Sequence, residues 1–176
     1  MSEKISVLID EEQLQERIKV VAEQISRDYE GKCIHVICIL KGGVAFMCDL
    51  VKRIDVPITM DFMSVSSYGS GTSSSGIVKI VKDLDQPIEG RDVLIVEDII
   101  DSGRTLSYLL KLLSERKPNS IRLCTLLDKP DRRVVKDVNV EYVGFNIPDA
   151  FVVGCGLDYD QRYRNLPYIG VVSFED

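Results

Sequence analysis

The chain has 176 residues, a length typical of one domain, and 45% of them are hydrophobic, which is enough to form one sizeable core. The formal net charge of −6, with basic residues interspersed among acids, argues against a protein that coats nucleic acid or a membrane surface. No apolar stretch reaches the roughly 20 residues that a membrane-spanning helix needs.

Helical and strand patterns alternate along the chain. Apolar residues at helical spacing predict a helix over residues 11–29, with Asp10 as its N-cap. The same spacing predicts helices over residues 44–54 and 106–116, and short apolar runs predict strands over 36–40, 58–65, 77–81, 93–96, 121–127, 140–145 and 168–172. This alternation predicts an α/β fold with a mainly parallel twisted sheet flanked by helices, in which ligands bind at the carboxyl ends of the strands.

The most informative segment is residues 93–105, VLIVEDIIDSGRT. Two acids, Glu97 and Asp98, follow the predicted strand, and a third acid, Asp101, precedes a small-residue turn that opens a helix. Backbone N–H groups at such a turn bind phosphate, and the carboxylates take sugar hydroxyls or Mg²⁺ through water. The turn consists of Ser102, Gly103, Arg104 and Thr105. A plain strand–loop–helix unit with solvated acids is the alternative interpretation.

Two other polar groups follow predicted strands, Lys41-Gly42-Gly43 and Asp128-Lys129, and we expect them to meet the acidic motif at one edge of the sheet. Residues 67–76 have the composition of a flexible linker but lie between two strands. Long loops inside a domain are usually binding loops, so we interpret this segment as a lid.

The five cysteines form no CxxC pair and no secretion signal is recognisable, which favours a reducing, cytoplasmic location. Cys33, Cys38 and Cys124 sit in or beside apolar runs and are predicted to be buried thiols. His35 is the single histidine and is interpreted as structural.

Residues 93–105 closely resemble the signature with which type I phosphoribosyltransferases bind 5-phosphoribosyl diphosphate (PRPP). The resemblance covers nearly the whole chain, and in its later part it is to the hypoxanthine–guanine phosphoribosyltransferases of bacteria. Its other landmarks are 40–43 (LKGG), 67–68 (SY), 127–129 (LDK) and 147–164 (IPDAFVVGCGLDYDQRYR). It implies one phosphoribosyltransferase domain over 1–176, with the lid at 67–76 and a small hood built from the N-terminal segment and about 146–176.

The resemblance implies that the 5-phosphoribosyl group of PRPP is transferred to N9 of hypoxanthine or guanine, giving IMP or GMP and pyrophosphate. Asp101 would handle the proton near N7 of the purine. The residues implied to bind PRPP are Lys41, Gly42, Ser67, Tyr68, Glu97, Asp98, Asp101, Ser102, Gly103, Arg104, Thr105 and Arg164. A cis peptide bond after Leu40 is also implied.

The same resemblance implies a purine site and Mg²⁺ as cofactor. Lys129 would donate to the 6-oxo group, Phe151 would stack on the ring, and the Val152 backbone would face its 2-position. Asp158 would lie beside the purine and bind a metal, and Glu97 and Asp98 would face another. From the residues alone, a solvated Lys129 is the preferred interpretation, and a core Phe151 and a turn acid at Asp158 are the alternatives.

Two other functions stay open. One is a phosphoribosyltransferase for another base, xanthine or a pyrimidine, and the other is a non-catalytic RNA-binding regulator on the same fold. The acids Glu97, Asp98, Asp101 and Asp158 and the lack of a basic stripe speak against the regulator. The expected partners are small molecules, with neither nucleic acid nor membrane, and a homodimer or homotetramer is expected from the resemblance.

Overall fold

A computed structural model describes residues 2–67 and 78–175. Of the predicted lid, residues 67–76, only the backbone of Ser67 lies in this range, and Tyr68 lies outside it. In chain order the elements are β1 (Ser2–Ile9), α1 (Glu11–Asp28), β2 (Ile34–Leu40), α2 (Val44–Val51), β3 (Ile58–Ser67), β4 (Val78–Lys82), β5 (Asp92–Ile100), α3 (Arg104–Ser114), β6 (Ser120–Asp128), β7 (Tyr142–Asn146), β8 (Val152–Val153) and β9 (Ile169–Glu175).

The main sheet has the strand order β4-β3-β2-β5-β6-β7, and only β4 pairs antiparallel to its neighbour. The predicted mainly parallel α/β fold is therefore confirmed. Strand β3 lies on one side of β2, and β5 lies on the other side of β2. The direction in which successive strands are added therefore reverses between β2 and β5. Ligands bind at such a reversal, outside the carboxyl ends of the two strands.

The two faces of the main sheet form two apolar cores because successive strand residues point to opposite sides. Val36 and Leu94 pack with α1 and α2 on one face. Ile37 and Ile95 pack with α3 on the other face. The central strands are thus apolar on both sides, as their unbroken buried runs indicate.

Helix α1 begins where the sequence predicts. The Asp10 side chain accepts a hydrogen bond from the Gln13 backbone, and the Gln13 side chain accepts one from the Asp10 backbone, which forms a capping box. Leu14, Ile18 and Ile25 then form its buried face.

A separate antiparallel sheet, with the order β1-β9-β8, joins the N-terminal strand to the C-terminal one. The sequence did not predict β1 or β8. Polar and charged residues interrupt the apolar ones in β1, and β8 has two residues, so neither gives a strong pattern. Between β8 and β9 lies the polar segment that carries Asp158 and Arg164.

Three predictions are corrected. Strand β5 continues to Ile100, so Glu97 and Asp98 lie in its last half and not beyond its end. Cys33 is exposed, because it lies in the connection before β2, whereas Cys38 and Cys124 are buried as predicted. Helix α2 ends at Val51, three residues before the predicted end. Within 2–67 and 78–175, no helix combines the length and apolar character needed to cross a bilayer.

Candidate active site

The turn that follows β2 packs closely against the carboxyl end of β5. The Leu40–Lys41 peptide bond is cis, as the resemblance implied. A Cβ atom on Gly42 would overlap the carboxylate of Asp98, and a Cβ atom on Gly156 would overlap the backbone carbonyl of Gly42. Gly156 also has a φ of 99°, which favours glycine. The turn after β2 is therefore packed between the acids of β5 and the segment that follows β8.

Glu97 and Asp98 form a coupled pair of acids beside this turn. Burial raises the pKa of the Glu97 carboxyl well above its usual range, and the neighbouring charge of Asp98 raises it further. Burial also raises the pKa of Asp98, against the opposing effect of the Arg164 guanidinium. A hydroxyl donor or a cation that binds beside these two carboxyls would stabilise their ionised forms. Mg²⁺, which prefers oxygen ligands, fits this donor set.

The small-residue turn after β5 forms the start of α3. Gly103 has a φ of 80° and stands at the N-cap, where no side chain caps the helix. The first four N–H groups of a helix have no backbone partner within it, and an anion can accept from such groups; here the Arg104 N–H donates to Ser102 Oγ at 3.4 Å. A pocket of about 200 Å³ opens here and is lined by residues that include Glu97, Asp101, Ser102, Gly103 and Thr105.

This turn is braced by the segment that carries Lys129. The backbone N–H groups of Val134 and Val135 both donate to the Ser102 carbonyl, and the Lys129 N–H donates to the Ile100 carbonyl at 3.0 Å. These hydrogen bonds fix the backbone of the turn.

Lys129 is buried although it carries a charge. Its turn is held by a bidentate pair, in which Arg133 Nε lies 3.0 Å from Asp128 Oδ1 and Arg133 Nη2 lies 2.7 Å from Asp128 Oδ2. The Lys129 ammonium lies 3.7 Å from Asp149 Oδ1, and Asp149 is exposed. A buried ammonium has only donors to offer, so the position suits a ligand oxygen.

Asp101 and Lys129 are linked by an unpredicted ion-pair chain. Arg132 Nε donates to Asp101 Oδ1 at 3.0 Å. Its Nη1 lies 3.6 Å from Asp149 Oδ2, and Asp149 also faces Lys129. The predicted proton-handling carboxylate and the predicted oxo-binding ammonium are therefore two side chains apart.

Phe151 presents an exposed aromatic ring at this end of the molecule. The ring is 53% exposed, so it is not a core residue, whereas Val152 is buried in β8. Tyr159 meets the Phe151 ring edge-on, with centroids 5.6 Å apart and an interplanar angle of 88°. Phe174 supports Tyr159 from its other side at 5.5 Å. The exposed part of the Phe151 ring is thus available for stacking, while the contact with Tyr159 holds the ring in place.

Asp158 and Arg164 form a second polar group. Arg164 Nη2 lies 3.0 Å from Asp158 Oδ1, and Arg164 Nη1 donates to the Gly156 carbonyl at 2.7 Å. Gln161 Oε1 accepts from both Arg164 Nη2, at 3.1 Å, and Lys41 Nζ, at 3.3 Å. This network spans the boundary between the small sheet and the turn after β2.

The structure brings those predicted residues that it describes to one edge of the main sheet, in two groups that meet at Gly42; Tyr68 and the side chain of Ser67 lie outside the described part of the chain. In the described part of the chain, no three acidic, histidine or cysteine side chains converge as a complete metal site. A metal held here would take its other ligands from substrate and water, which is usual for Mg²⁺. Arg132, Asp149 and Gln161 are contacts that the sequence did not predict. Arg132 and Gln161 lie in the charged segments 128–133 and 158–164, whereas Asp149 lies in neither segment.

Comparison with other proteins supplies an independent line of argument. Residues 8–160 match the phosphoribosyl transferase domain family. The hypoxanthine-guanine phosphoribosyltransferase of Bacillus subtilis (strain 168) is 57% identical, over 95% of this chain and 92% of that protein. A crystal structure of a hypoxanthine phosphoribosyltransferase from Staphylococcus aureus superposes with a TM-score of 0.92 at 52% identity, covering 96% of this chain and 91% of that one.

A third relative is much longer than this chain. The bifunctional protein TilS/HprT of Listeria monocytogenes is 57% identical over 96% of this chain, which spans only 26% of that protein's length.

Proposed function

The chain belongs to the phosphoribosyl transferase domain family, and from this premise we propose that it transfers the 5-phosphoribosyl group of PRPP to N9 of hypoxanthine or guanine. The products are IMP or GMP and pyrophosphate, so the reaction salvages purine bases. The proposal depends on three features that lie at one edge of the main sheet. They are the turn of residues 102–105, the acid pair Glu97 and Asp98, and the buried Lys129. The high identity to a hypoxanthine-guanine phosphoribosyltransferase supports the choice of base.

The phosphate turn, residues 102–105, binds the 5′-phosphate through backbone N–H groups at the start of α3 and through the Thr105 hydroxyl. Glu97 and Asp98 accept from the ribose hydroxyls. These donors stabilise the charged forms of two carboxyls whose pKa values are raised by burial.

Asp101 handles the proton at the purine N7. Its carboxylate is paired with the Arg132 guanidinium and borders the pocket of the phosphate turn. A carboxylate there also stabilises positive charge that develops on the ribose as its bond to pyrophosphate breaks.

The base is selected by Lys129 and Phe151. The Lys129 ammonium donates to a 6-oxo group and has no acceptor for a 6-amino group, so adenine is disfavoured. Phe151 stacks on the ring from the side that Tyr159 leaves open. Val152 contributes its backbone near the 2-position.

Mg²⁺ is the proposed cofactor. Glu97 and Asp98 would hold one ion together with the ribose, and Asp158 would hold one beside pyrophosphate. When bound, the ion would supply positive charge that offsets the negative charge of the leaving pyrophosphate. On that side, Lys41 and Arg164 would add positive charge, and Gly42 would add a backbone donor. Ser67 and Tyr68 would cover the ligands. Asp158 already faces Arg164, so the two would share the pyrophosphate end.

The direct test incubates the purified chain with PRPP, Mg²⁺ and one of hypoxanthine, guanine, xanthine, adenine or uracil, and separates the nucleotides by chromatography. IMP and GMP should form together with pyrophosphate. Formation of only xanthosine or uridine monophosphate would assign another base. No transfer to any base, combined with tight RNA binding in a filter assay, would favour the regulator.

The proposed enzyme works with small molecules in the cytoplasm as a homodimer or homotetramer. Light scattering behind a sizing column measures the mass directly. A monomer mass at micromolar concentration would reject the proposed assembly without affecting the proposed reaction.

A further inference from the structure

The Gln161 side chain occupies an unusual electrostatic position. Its Oε1 accepts from Lys41 Nζ at 3.3 Å and from Arg164 Nη2 at 3.1 Å. Two cations thus converge on one neutral oxygen, and one of them, Lys41, is 120 residues from Gln161 in the chain. Cations repel each other, so this convergence requires something that holds them together.

The charges around this oxygen are not balanced. Arg164 has a carboxylate partner, because its Nη2 also lies 3.0 Å from Asp158 Oδ1. Across residues 2–67 and 78–175, Lys41 pairs with no carboxylate, and the amide of Gln161 is its side-chain acceptor. An amide oxygen carries only a partial charge and is a weaker partner for an ammonium than an anion is. The position of Oε1 is therefore one that an anionic oxygen would occupy more favourably.

The backbone holds Gln161 in this position at a conformational cost. Gln161 has a φ of 64°, and its neighbours Asp160 and Tyr163 also have positive φ values, of 50° and 75°. The Gln161 N–H donates to Asp158 Oδ2 at 2.8 Å, and Tyr159 and Arg162 exchange backbone hydrogen bonds across the turn. Left-handed non-glycine residues are uncommon and concentrate at ligand sites.

We propose that Gln161 is a positioning residue whose amide oxygen stands in for a pyrophosphate oxygen in the empty site. It keeps Lys41 and Arg164 close together until the diphosphate group of PRPP takes over both cations. The inference rests on the proposed function, since it assigns the displaced position to that substrate. A neutral placeholder suits this role, because it is strong enough to orient two cations and weak enough to be displaced.

The two obvious substitutions then have unequal effects. Gln161→Ala removes the placeholder, so the cations separate and must be gathered by PRPP, which should raise KM for PRPP about threefold. Gln161→Glu puts a carboxylate between the cations, which PRPP must displace, so KM for PRPP should rise about tenfold, the scale of one hydrogen bond to a charged group. KM for hypoxanthine should change less than twofold in both variants, because Lys129 and Phe151 are elsewhere.

The experiment measures KM for PRPP and for hypoxanthine, inhibition by pyrophosphate, and the melting temperature, for wild type, both variants and Gln24→Ala. Gln24 lies exposed on α1 and serves as the matched control. The inference also predicts coupling, so the extra effect of Gln161→Glu over Gln161→Ala should shrink when Lys41→Ala is present.

The inference is supported if KM for PRPP is highest in Gln161→Glu, intermediate in Gln161→Ala and lowest in wild type. Equal KM values in the two variants, or values unchanged from wild type, overturn it. A lowered melting temperature with both substrates affected equally also overturns it, because the residue would then act on the fold. If the wild type transfers to no base, the proposed function fails, and calorimetric titration with Mg²⁺–pyrophosphate still tests the placeholder through the same order of affinities.

Discussion

The candidate site joins two regions that are constructed differently. The phosphate region, residues 97–105, is one continuous segment whose shape is set by β5, by the left-handed Gly103 and by backbone hydrogen bonds to residues 129–135. The second region collects Lys129 and Phe151, proposed to bind the base, and residues 158–164, proposed to lie at the pyrophosphate end, and its geometry depends on side-chain ion pairs and ring contacts. In the proposed function, the first region would bind the phosphate through backbone N–H groups, which substitutions rarely alter, and the ribose through Glu97 and Asp98. The second would bind its ligands through side chains, so substitutions there should give graded changes in specificity and metal use.

The largest effect should come from the one side chain in the phosphate region that takes part in the chemistry. Asp101→Asn keeps the shape of the side chain but removes its basicity. We expect kcat to fall by roughly 100-fold or more, the usual scale of general acid–base assistance, while KM for PRPP stays within about twofold. Steady-state kinetics with saturating hypoxanthine measures both. A variant within threefold of wild-type kcat would remove Asp101 from the mechanism.

Asp137→Asn is the matched control for that experiment. Asp137 is exposed, lies between β6 and β7, and takes no part in the Asp101–Arg132 ion pair. It should leave both kinetic constants at their wild-type values. A comparable loss of kcat in the control would show that the effect is one of net charge.

A smaller effect is expected for base selection. Lys129→Gln replaces a donor-only group with one that both donates and accepts, so a 6-amino group is tolerated better. The ratio of kcat/KM for hypoxanthine over adenine should fall by about tenfold, the scale of one hydrogen bond from a charged group. Competition between the two bases in one tube gives this ratio directly. If the ratio is unchanged, the 6-position is recognised by another group.

Metal use should change by less still. Asp158→Ala removes a carboxylate from the pyrophosphate end and also frees Arg164, with which Asp158 forms an ion pair. The Mg²⁺ concentration for half-maximal activity should rise several-fold, because Mg²⁺ uses only one or two protein carboxylates and losing one weakens the site. Asp160→Ala, in the same turn but exposed, is the control. Superimposable Mg²⁺ titrations of wild type and Asp158→Ala would count against a metal at this position.

The smallest effect concerns the opposite edge of the main sheet and provides a reference for both regions. His35 is buried at the start of β2, with Nδ1 2.7 Å from Thr59 Oγ1 and 3.2 Å from Arg91 Nη1. Burial lowers its pKa, the Arg91 charge lowers it further, and Asp61 opposes this shift. The folded state therefore favours the neutral ring, and the unfolded state binds the extra proton below its ordinary pKa of about 6.5.

The contribution of His35 to the free energy of unfolding is therefore fully present above about pH 6.5 and is lost as the pH falls below that value. The free energy of unfolding should fall by at most about 1.4 kcal/mol per pH unit from this group. Urea denaturation between pH 8 and 5.5 measures the slope, and the difference between wild type and His35→Gln isolates the contribution of His35, because the raised pKa of Glu97 adds a slope of opposite sign to both proteins. That variant should also keep wild-type kcat, since neither region of the site contacts His35.

The sequence predicted the two regions unequally, for a physical reason. Glu97, Asp98, Asp101 and the turn after them are contiguous, so local pattern alone places them together. The contacts of Arg132 with Asp101 and of Gln161 with Lys41 connect residues 31 and 120 positions apart, which only the folded topology shows. The roles of the individual site residues remain predictions that the kinetic experiments test.

The fold was predicted where burial leaves a regular pattern. The central strands and the three helices gave clear apolar periods, and their bounds were found to within a few residues. Strand β1 was missed because its apolar residues alternate irregularly with charged ones. Cys33 was assigned to the core because it borders an apolar run, although it precedes β2 and is exposed. The ends of elements depend on tertiary contacts that the chain pattern does not encode.

The close contact of Gly156, Gly42 and Asp98 has a consequence for genetic suppression. An alanine at position 42 would collide with a side chain, that of Asp98, so a second mutation that shortens position 98 relieves the overlap. An alanine at position 156 would collide with the Gly42 carbonyl, which every amino acid possesses. Shortening position 98 should therefore restore stability to Gly42→Ala, although the double variant lacks a carboxylate of the proposed site and should stay inactive. No substitution at position 42 should restore stability to Gly156→Ala, because none removes the carbonyl oxygen of that residue.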